Sequence, residues 1–398
     1  MTGPASSLYA LVFNVAVSTF FVIVPCEILR LGAGSLEVGL SAALHSISYI
    51  VFTVINGRLA VQRPTQLALV RLSCVALALL YAICAVIRSV PQFLVVSALN
   101  GCLMGTYWPN FWATHEDESQ HDLWTGLCSS FIWLNVGLML GPTVAGLVYG
   151  RSGALSFLLG TGLLIVLQLV MGRLPREAGE AIAETDELPE ADCETARLRT
   201  SGTVWVPVIG AFTGAFIVGF VDGSLRAAGP VMVSQSNLPS SYWGALLAIK
   251  AMAQVVSLLL LRRARSAWVA VDDGRRAFLV GAVTILLGSA LFAFGSAFWI
   301  RSAAVAFMGL GYGLVNFAAI YLSILWTQVA GRNLSGYAEG VLGAGILSGS
   351  LLGGVLVGRS VQSQFLVACV LEIAFVCLLL WLRKACTVYQ SNTRRPGP

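Results

Sequence analysis

The sequence predicts an all-α polytopic membrane protein of twelve transmembrane helices, arranged as two pseudo-symmetric six-helix bundles. One ground is composition: of 398 residues, 57% are hydrophobic and 11% charged, with a mean hydropathy of +0.82. Soluble domains carry about 45–50% apolar and about 25% charged residues. The other ground is an internal repeat, in which residues 98–158 recur at 306–366 without a gap at a constant shift of 208. The matches fall on small residues: Gly101 with Gly309, Gly105 with Gly313, Gly137 with Gly345, Gly141 with Gly349, Gly146 with Gly354, and Gly150-Arg151-Ser152 with Gly358-Arg359-Ser360. Hydrocarbon supplies no hydrophobic drive between helices, so membrane interfaces use small residues that let backbones approach. A repeated glycine register therefore predicts the same helix contacts made twice.

A helix crosses a bilayer in about 20 apolar residues, and runs of that length exclude barrel strands. In the first half they fall at 8–30, ending past Pro25; at 36–57, opened by Gly39; at 66–87; at 91–113, with Trp108-Pro109; at 124–149, which holds Gly137, Gly141 and Gly146; and at 153–173. In the second half they fall at 204–226, 241–261, 277–298, 300–328, 334–357 and 362–383. Pro25 and Gly39 are echoed by Pro230 and Gly244 at a shift of 205. The implied domains are an N-terminal bundle at 1–173, an acidic cytoplasmic linker at 174–203, a C-terminal bundle at 204–383 and a cytoplasmic tail at 384–398. The linker's Glu177, Glu180, Glu184, Asp186, Glu187, Glu190, Asp192 and Glu194 sit in a stretch almost free of large apolar residues, which marks a solvated connector.

Basic residues mark cytoplasmic loops. With the N-terminus inside, seventeen fall inside: Arg58, Arg63, Arg71, Arg173, Arg176, Arg197, Arg199, Arg262, Arg263, Arg265, Arg275, Arg276, Arg332, Arg383, Lys384, Arg394 and Arg395. Six fall outside: Arg30, Arg88, Arg151, Arg226, Arg301 and Arg359. Both termini are therefore expected in the cytoplasm, and the net charge of +5 is an orientation signal rather than a nucleic-acid surface. The first apolar run has no basic n-region and reaches spanning length, so it reads as a span and not as a cleaved signal.

The nine cysteines lack metal-ligand spacing and read as small hydrophobes. His115, Asp117, Glu118, His121 and Asp122 form the richest cluster of ligand-type residues, read as a hydrophilic connector without a metal. No nucleophile elbow or phosphate-cradling loop occurs, so neither an enzyme nor a cofactor is expected.

These residues resemble the major facilitator superfamily of secondary transporters. Gly137-Leu-Met-Leu-Gly141-Pro142-Thr-Val-Ala-Gly146 is similar to the fifth-helix signature of the family's antiporters, with Cys128 and Ala145 where that signature has glycine. After the second span, Gly57 and the basic Arg58 and Arg63 keep part of the family's loop signature, with Val61 in place of its acid. Trp108-Pro109 and Gly336-x-x-Glu339 are similar to those of bacterial members. The resemblance implies a monomeric transporter in a bilayer, expected to be the bacterial inner membrane. It also implies alternating access around a site near mid-membrane, lined by spans one, four, seven and ten with two, five, eight and eleven at the seam.

Asn100, Met104 and Trp108 share a face of span four, and their 208-shifted counterparts are Met308, Tyr312 and Asn316. Asn100, Met104, Trp108, Tyr312 and Asn316, together with Lys250 midway along span eight, are the candidate solute contacts. Tyr107, Asn110, Trp112 and Tyr321 adjoin them. Aromatic faces with a few amides suit an amphipathic solute. Charges inside hydrocarbon cost about 2.5–3.5 kcal/mol on insertion scales, so they face a cavity or a partner. Asp222, Glu27, Glu339 and Glu372 are candidate proton carriers, and Asp222 is also placed to pair locally with Arg226. The expected activity is proton-linked transport of a small organic solute, with export favoured. The alternatives are uptake of a polar metabolite, by facilitation or symport, and a non-transporting sensor or scaffold.

Overall fold

A computed structural model describes residues 4–58, 63–116, 123–172, 205–264, 275–330 and 334–393. The acidic segment 174–203, Val61, and the cluster positions Asp117, Glu118, His121 and Asp122 lie outside the described residues. Twelve helices occupy the rest: α1 (Pro4–Arg30), α2 (Ser35–Arg58), α3 (Arg63–Cys84), α4 (Val90–Glu116), α5 (Leu123–Tyr149), α6 (Gly153–Gly172), α7 (Trp205–Gln235), α8 (Ser240–Arg263), α9 (Arg275–Phe294), α10 (Phe298–Ala330), α11 (Leu334–Val357) and α12 (Val361–Thr393). Helix is the form these apolar runs must take, because it satisfies every backbone group within the segment.

Eleven of the twelve are long and apolar enough to cross a membrane. The exception is α4, diluted by Gln92, Asn100, Asn110 and its Tyr107-Trp108 pair. Three expected C-terminal helix ends move by four residues or more, one of them that of α12, which runs past the expected 383 to Thr393. The span predicted to end at 226 continues to Gln235, because the charges that seemed to close it, Asp222 and Arg226, are paired inside the protein and the helix runs on through Pro230. Arg226, assigned to an outer loop from sequence, is therefore within a span. The run predicted as 277–298 stops at Phe294, where a three-residue turn from Gly295 intervenes before α10.

Helices α1 and α7 end alike. At Gly32 (φ 85°) the chain turns left-handed, its N–H donating to Leu29 O at 3.0 Å and that of Ala33 to Ile28 O at 3.2 Å. At Asn237 (φ 52°) the N–H donates to Ser234 O at 3.1 Å and that of Leu238 to Val233 O at 3.0 Å. Both are Schellman caps, with Gly and Asn as the residues that tolerate the left-handed position. Their numbers differ by 205, the shift of the proline echo.

Glycines set the packing. A Cβ on Gly137 would strike Leu11 O and Asn14, and one on Gly345 would strike Phe216 O and Gly219, again 205 apart. Gly141 meets Val15 O and Ser18, and Gly349 meets Phe220 O. Gly101 meets His45 O, and Gly309 meets Lys250 O. So α5 lies on α1 as α11 lies on α7, and α4 lies on α2 as α10 lies on α8. The halves then meet along α2 with α11 and α5 with α8. At the end holding the short turns after α1, α7 and α11, this seam is backbone on backbone: Gly39 against Ser350 and Gly354, and Gly244 against Pro142. Toward the end where α1 begins, it passes to side chains, with Gly343 against Tyr49 and Ile50. Outward-facing apolar side chains on α3, α6, α9 and α12, such as Leu79, Leu169, Leu287 and Val370, are exposed and form the lipid-facing surface.

Gly141→Leu should still insert but lose the α1–α5 approach. We expect a lower melting temperature in detergent, with about 1–3 kcal/mol lost to overpacking. A melting curve matching the unsubstituted protein would show that this approach has slack.

Candidate solute cavity and buried charge group

Between the halves lies a cavity of about 130 Å³. This is below the about 300–1,000 Å³ of common ligand pockets, so the halves are drawn together around it. The N-terminal half contributes Asn14 and Phe21 from α1, His45 and Tyr49 from α2, Met104, Trp108 and Trp112 from α4, and Phe131 and Asn135 from α5. The C-terminal half contributes Arg226 from α7, Tyr312 and Asn316 from α10, and Glu339, Leu342 and Ile346 from α11. Asn135 Oδ1 is buried without a hydrogen-bond partner among the described residues. At the first turn of α5 rings cross the seam: Trp124 sits edge-on to Phe317 at 4.7 Å and to Tyr321 at 5.1 Å.

Of the predicted contacts, Met104, Trp108, Tyr312 and Asn316 line this cavity. Asn100 does not. It lies fully buried behind the wall, where Tyr81 donates to its Oδ1 at 3.2 Å and its Nδ2 donates to His45 Nδ1 at 3.1 Å. Its part is to orient His45. Tyr107 is also off the cavity, stacked on Phe13 at 3.7 Å, and Asn110 donates to Asn56 Oδ1 at 3.1 Å. Trp112 lines the wall.

Lys250, expected to face the cavity, is set back from it. Its ammonium is hydrogen-bonded to Asp222 Oδ1 and lies 4.5 Å from the Tyr312 ring centroid, so a tyrosine that lines the cavity separates the two. Asp222, expected near a helix end with a local partner alone, lies within α7 and accepts from both cations. Its Oδ2 takes Arg226 Nε at 2.8 Å and Nη2 at 2.7 Å. The rotation of α8 that delivers Lys250 is fixed by Gly309 of α10 against the Lys250 carbonyl.

The four candidate proton carriers separate cleanly. Glu339 lines the cavity and accepts from Tyr49 Oη at 2.6 Å across the seam. Asp222 is held by two cations. Glu27 lies at the end of α1 and pairs with Arg30 at 2.6 Å, away from the cavity. Glu372 is wholly buried on α12, accepting from Ser289 of α9 at 2.8 Å, also away from the cavity. Among the described residues no group of three or more His, Cys, Asp or Glu could hold a metal.

Sequence reasoning missed Phe21, His45, Tyr49 and Arg226 at the wall. The signal was present in the 205 shift, which pairs Phe21 with Arg226, His45 with Lys250 and Tyr49 with Gln254.

The sequence model of the Major Facilitator Superfamily matches residues 6–271, about two thirds of the chain. The chain belongs to the Major Facilitator Superfamily. It is an integral membrane protein of a transporter family, and solved structures agree on the fold. The nucleoside transporter NupG is similar over 96% of this chain and 98% of its own, with a TM-score of 0.66 at 13% identity. The human organic anion transporter MFSD10 (TETRAN) is similar over 95% of this chain and 100% of its own, with a TM-score of 0.61 at 14% identity. No curated protein matches the superfamily member described here by sequence.

Removing Asp222 alone strands two buried cations. Asp222→Asn is expected to cost about 3–5 kcal/mol, read as a lowered melting temperature or a lost monodisperse peak. Asp222→Asn with Lys250→Met should recover part of it. An unshifted melting temperature in the single variant would mean the pair contributes nothing to the fold.

Proposed function

We propose that the chain is a proton-coupled secondary transporter of a small organic solute with an apolar, ring-bearing body. It works by alternating access between bundles at 1–173 and 204–383, joined by 174–203, with 384–398 as a tail. The observation that supports this is the cavity between the halves, where Trp108, Trp112, Phe21 and Tyr312 offer ring faces and Asn14, Asn135 and Asn316 offer amides. Ring faces supply contact area and the amides fix orientation. A polar lining of this kind also argues against a sensor or scaffold. Basic residues favour placing the end where α1 begins in the cytoplasm of a bacterial inner membrane.

Proton linkage rests on Glu339. Among the four candidate carboxyls it faces the cavity, has no cation partner among the described residues, and is bonded to the other half through Tyr49. The charge on this carboxyl sets how strongly it accepts from Tyr49, since a hydrogen bond to an ionised acceptor is roughly twice as strong. Protonation is thereby tied to the closeness of the halves. The amides favour a second reading, uptake of a polar metabolite such as a nucleoside, the solute named for NupG.

Proteoliposomes with a trapped pH dye separate these readings. Single-ring aromatic solutes and nucleosides, added on either side, should move protons with the transported solute and show the direction of transport. Glu339→Gln is expected to abolish the solute-driven proton signal while keeping solute exchange. Proton movement at the unsubstituted rate in Glu339→Gln would remove Glu339 from the mechanism, and no solute-driven signal from either class in the unsubstituted protein would overturn the reading.

A further inference from the structure

We propose that the cavity selects solutes bearing a carboxylate, which docks on Arg226 beside the His45 ring of the other half while the rest of the solute lies against the tryptophans. This rests on the central cavity being the solute site. The first support is a charge imbalance. Asp222 has given Oδ1 to Lys250 and Oδ2 to Arg226, so two cations share one carboxylate. A buried charge without a counter-charge is costly. Lys250 is covered by the Tyr312 ring, whereas Arg226 opens on the cavity.

The second support is donor geometry. Arg226 spends Nε and Nη2 on Asp222, and its Nη1 has no acceptor among the described residues. The Phe21 ring, 4.1 Å from Cζ, holds the guanidinium in place. At His45 the tautomer follows from its neighbours. Tyr81 donates to Asn100 Oδ1, which leaves Asn100 Nδ2 as the group facing His45 Nδ1. An amide nitrogen can only donate, so Nδ1 accepts and the ring proton sits on Nε2. The ring also hydrogen-bonds the backbone of Ser97, and His45 lines the cavity. The unspent Nη1 of Arg226 thus faces the cavity beside the His45 ring, and a charged N–H donor of this kind is the partner that a carboxylate oxygen takes.

The third support is position. Phe21, His45 and Arg226 line both the central cavity and a smaller one toward Val24, Pro25 and Ser41. They form a partition at which an anionic headgroup stops while a ring fits the space of about 130 Å³ beyond. The other acidic group at the wall, Glu339, already receives the Tyr49 hydroxyl and competes for no donor of this pair.

The test uses the full chain in detergent, with quenching of its tryptophan fluorescence by benzoate, benzamide and benzylamine. Benzoate should bind at least about tenfold more tightly than benzamide, the ratio that about 1.4 kcal/mol produces. Arg226→Gln should bring that ratio close to one. Arg226→Lys, which keeps a cation for Asp222 and so safeguards folding, should retain the preference for charge with weaker benzoate binding. Equal binding of benzoate and benzamide, or a preference for benzylamine, would overturn the carboxylate assignment and leave the cavity as a solute site. If none of the three quenches, the cavity reading falls and the carboxylate assignment falls with it.

Discussion

Close approach of helix backbones at glycine is the constraint on which everything else in this protein rests. Inside a bilayer, leucine against leucine gains little over leucine against lipid, so helices are held by dispersion at short range and by buried polar contacts. Gly137 and Gly141 bring α5 onto α1, and Gly345 and Gly349 bring α11 onto α7. Gly101 and Gly309 seat the carbonyls of His45 and Lys250. These contacts fix the rotation of α2 and α8 about their own axes, and hence where an imidazole and an ammonium point.

The frame is symmetric and the site is not. Caps, prolines and glycine contacts repeat at shifts of 205 and 208, yet at the wall the duplicated positions have parted: Phe21 against Arg226, His45 against Lys250, Trp108 against Asn316. One half supplies aromatic area and a neutral imidazole; the other supplies the charges. Phe21 and Arg226 even touch each other across the seam, as equivalent residues near a pseudo-twofold axis can. Equivalent positions of the two halves thus carry different side chains that complement one another at the wall.

This division explains what could be read from the chain. Hydrophobic runs and the glycine register depend on local sequence, so helix number, the two-bundle plan and the repetition of close helix contacts in both halves were legible, while the partners, α1 for α5 and α7 for α11, came from the structure. Boundaries failed where polar residues inside a helix imitate an end. Asp222 and Arg226 closed α7 too early because their pairing with each other and with Lys250 is a tertiary fact. Helical periodicity found Met104, Trp108, Tyr312 and Asn316 but could not place Asn100, which shares their face near its edge and turns toward His45. His45, a lone histidine in an apolar span, carries no local mark. Its role becomes visible only when the second shift sets it opposite Lys250.

The group formed by Asp222, Arg226 and Lys250 has a consequence of a different kind. It carries more positive than negative charge and sits deep within helices that cross a membrane sustaining a voltage. A carrier loaded with an anion would cross its conformational change with that surplus neutralised, whereas the empty carrier would make the return journey charged. Whatever part of the field the surplus traverses acts on that one leg, with up to about 2.3 kcal/mol for a full charge per 100 mV. The membrane potential would then set the pace of resetting rather than of delivery, and reversing its sign would exchange a hindered return for an assisted one.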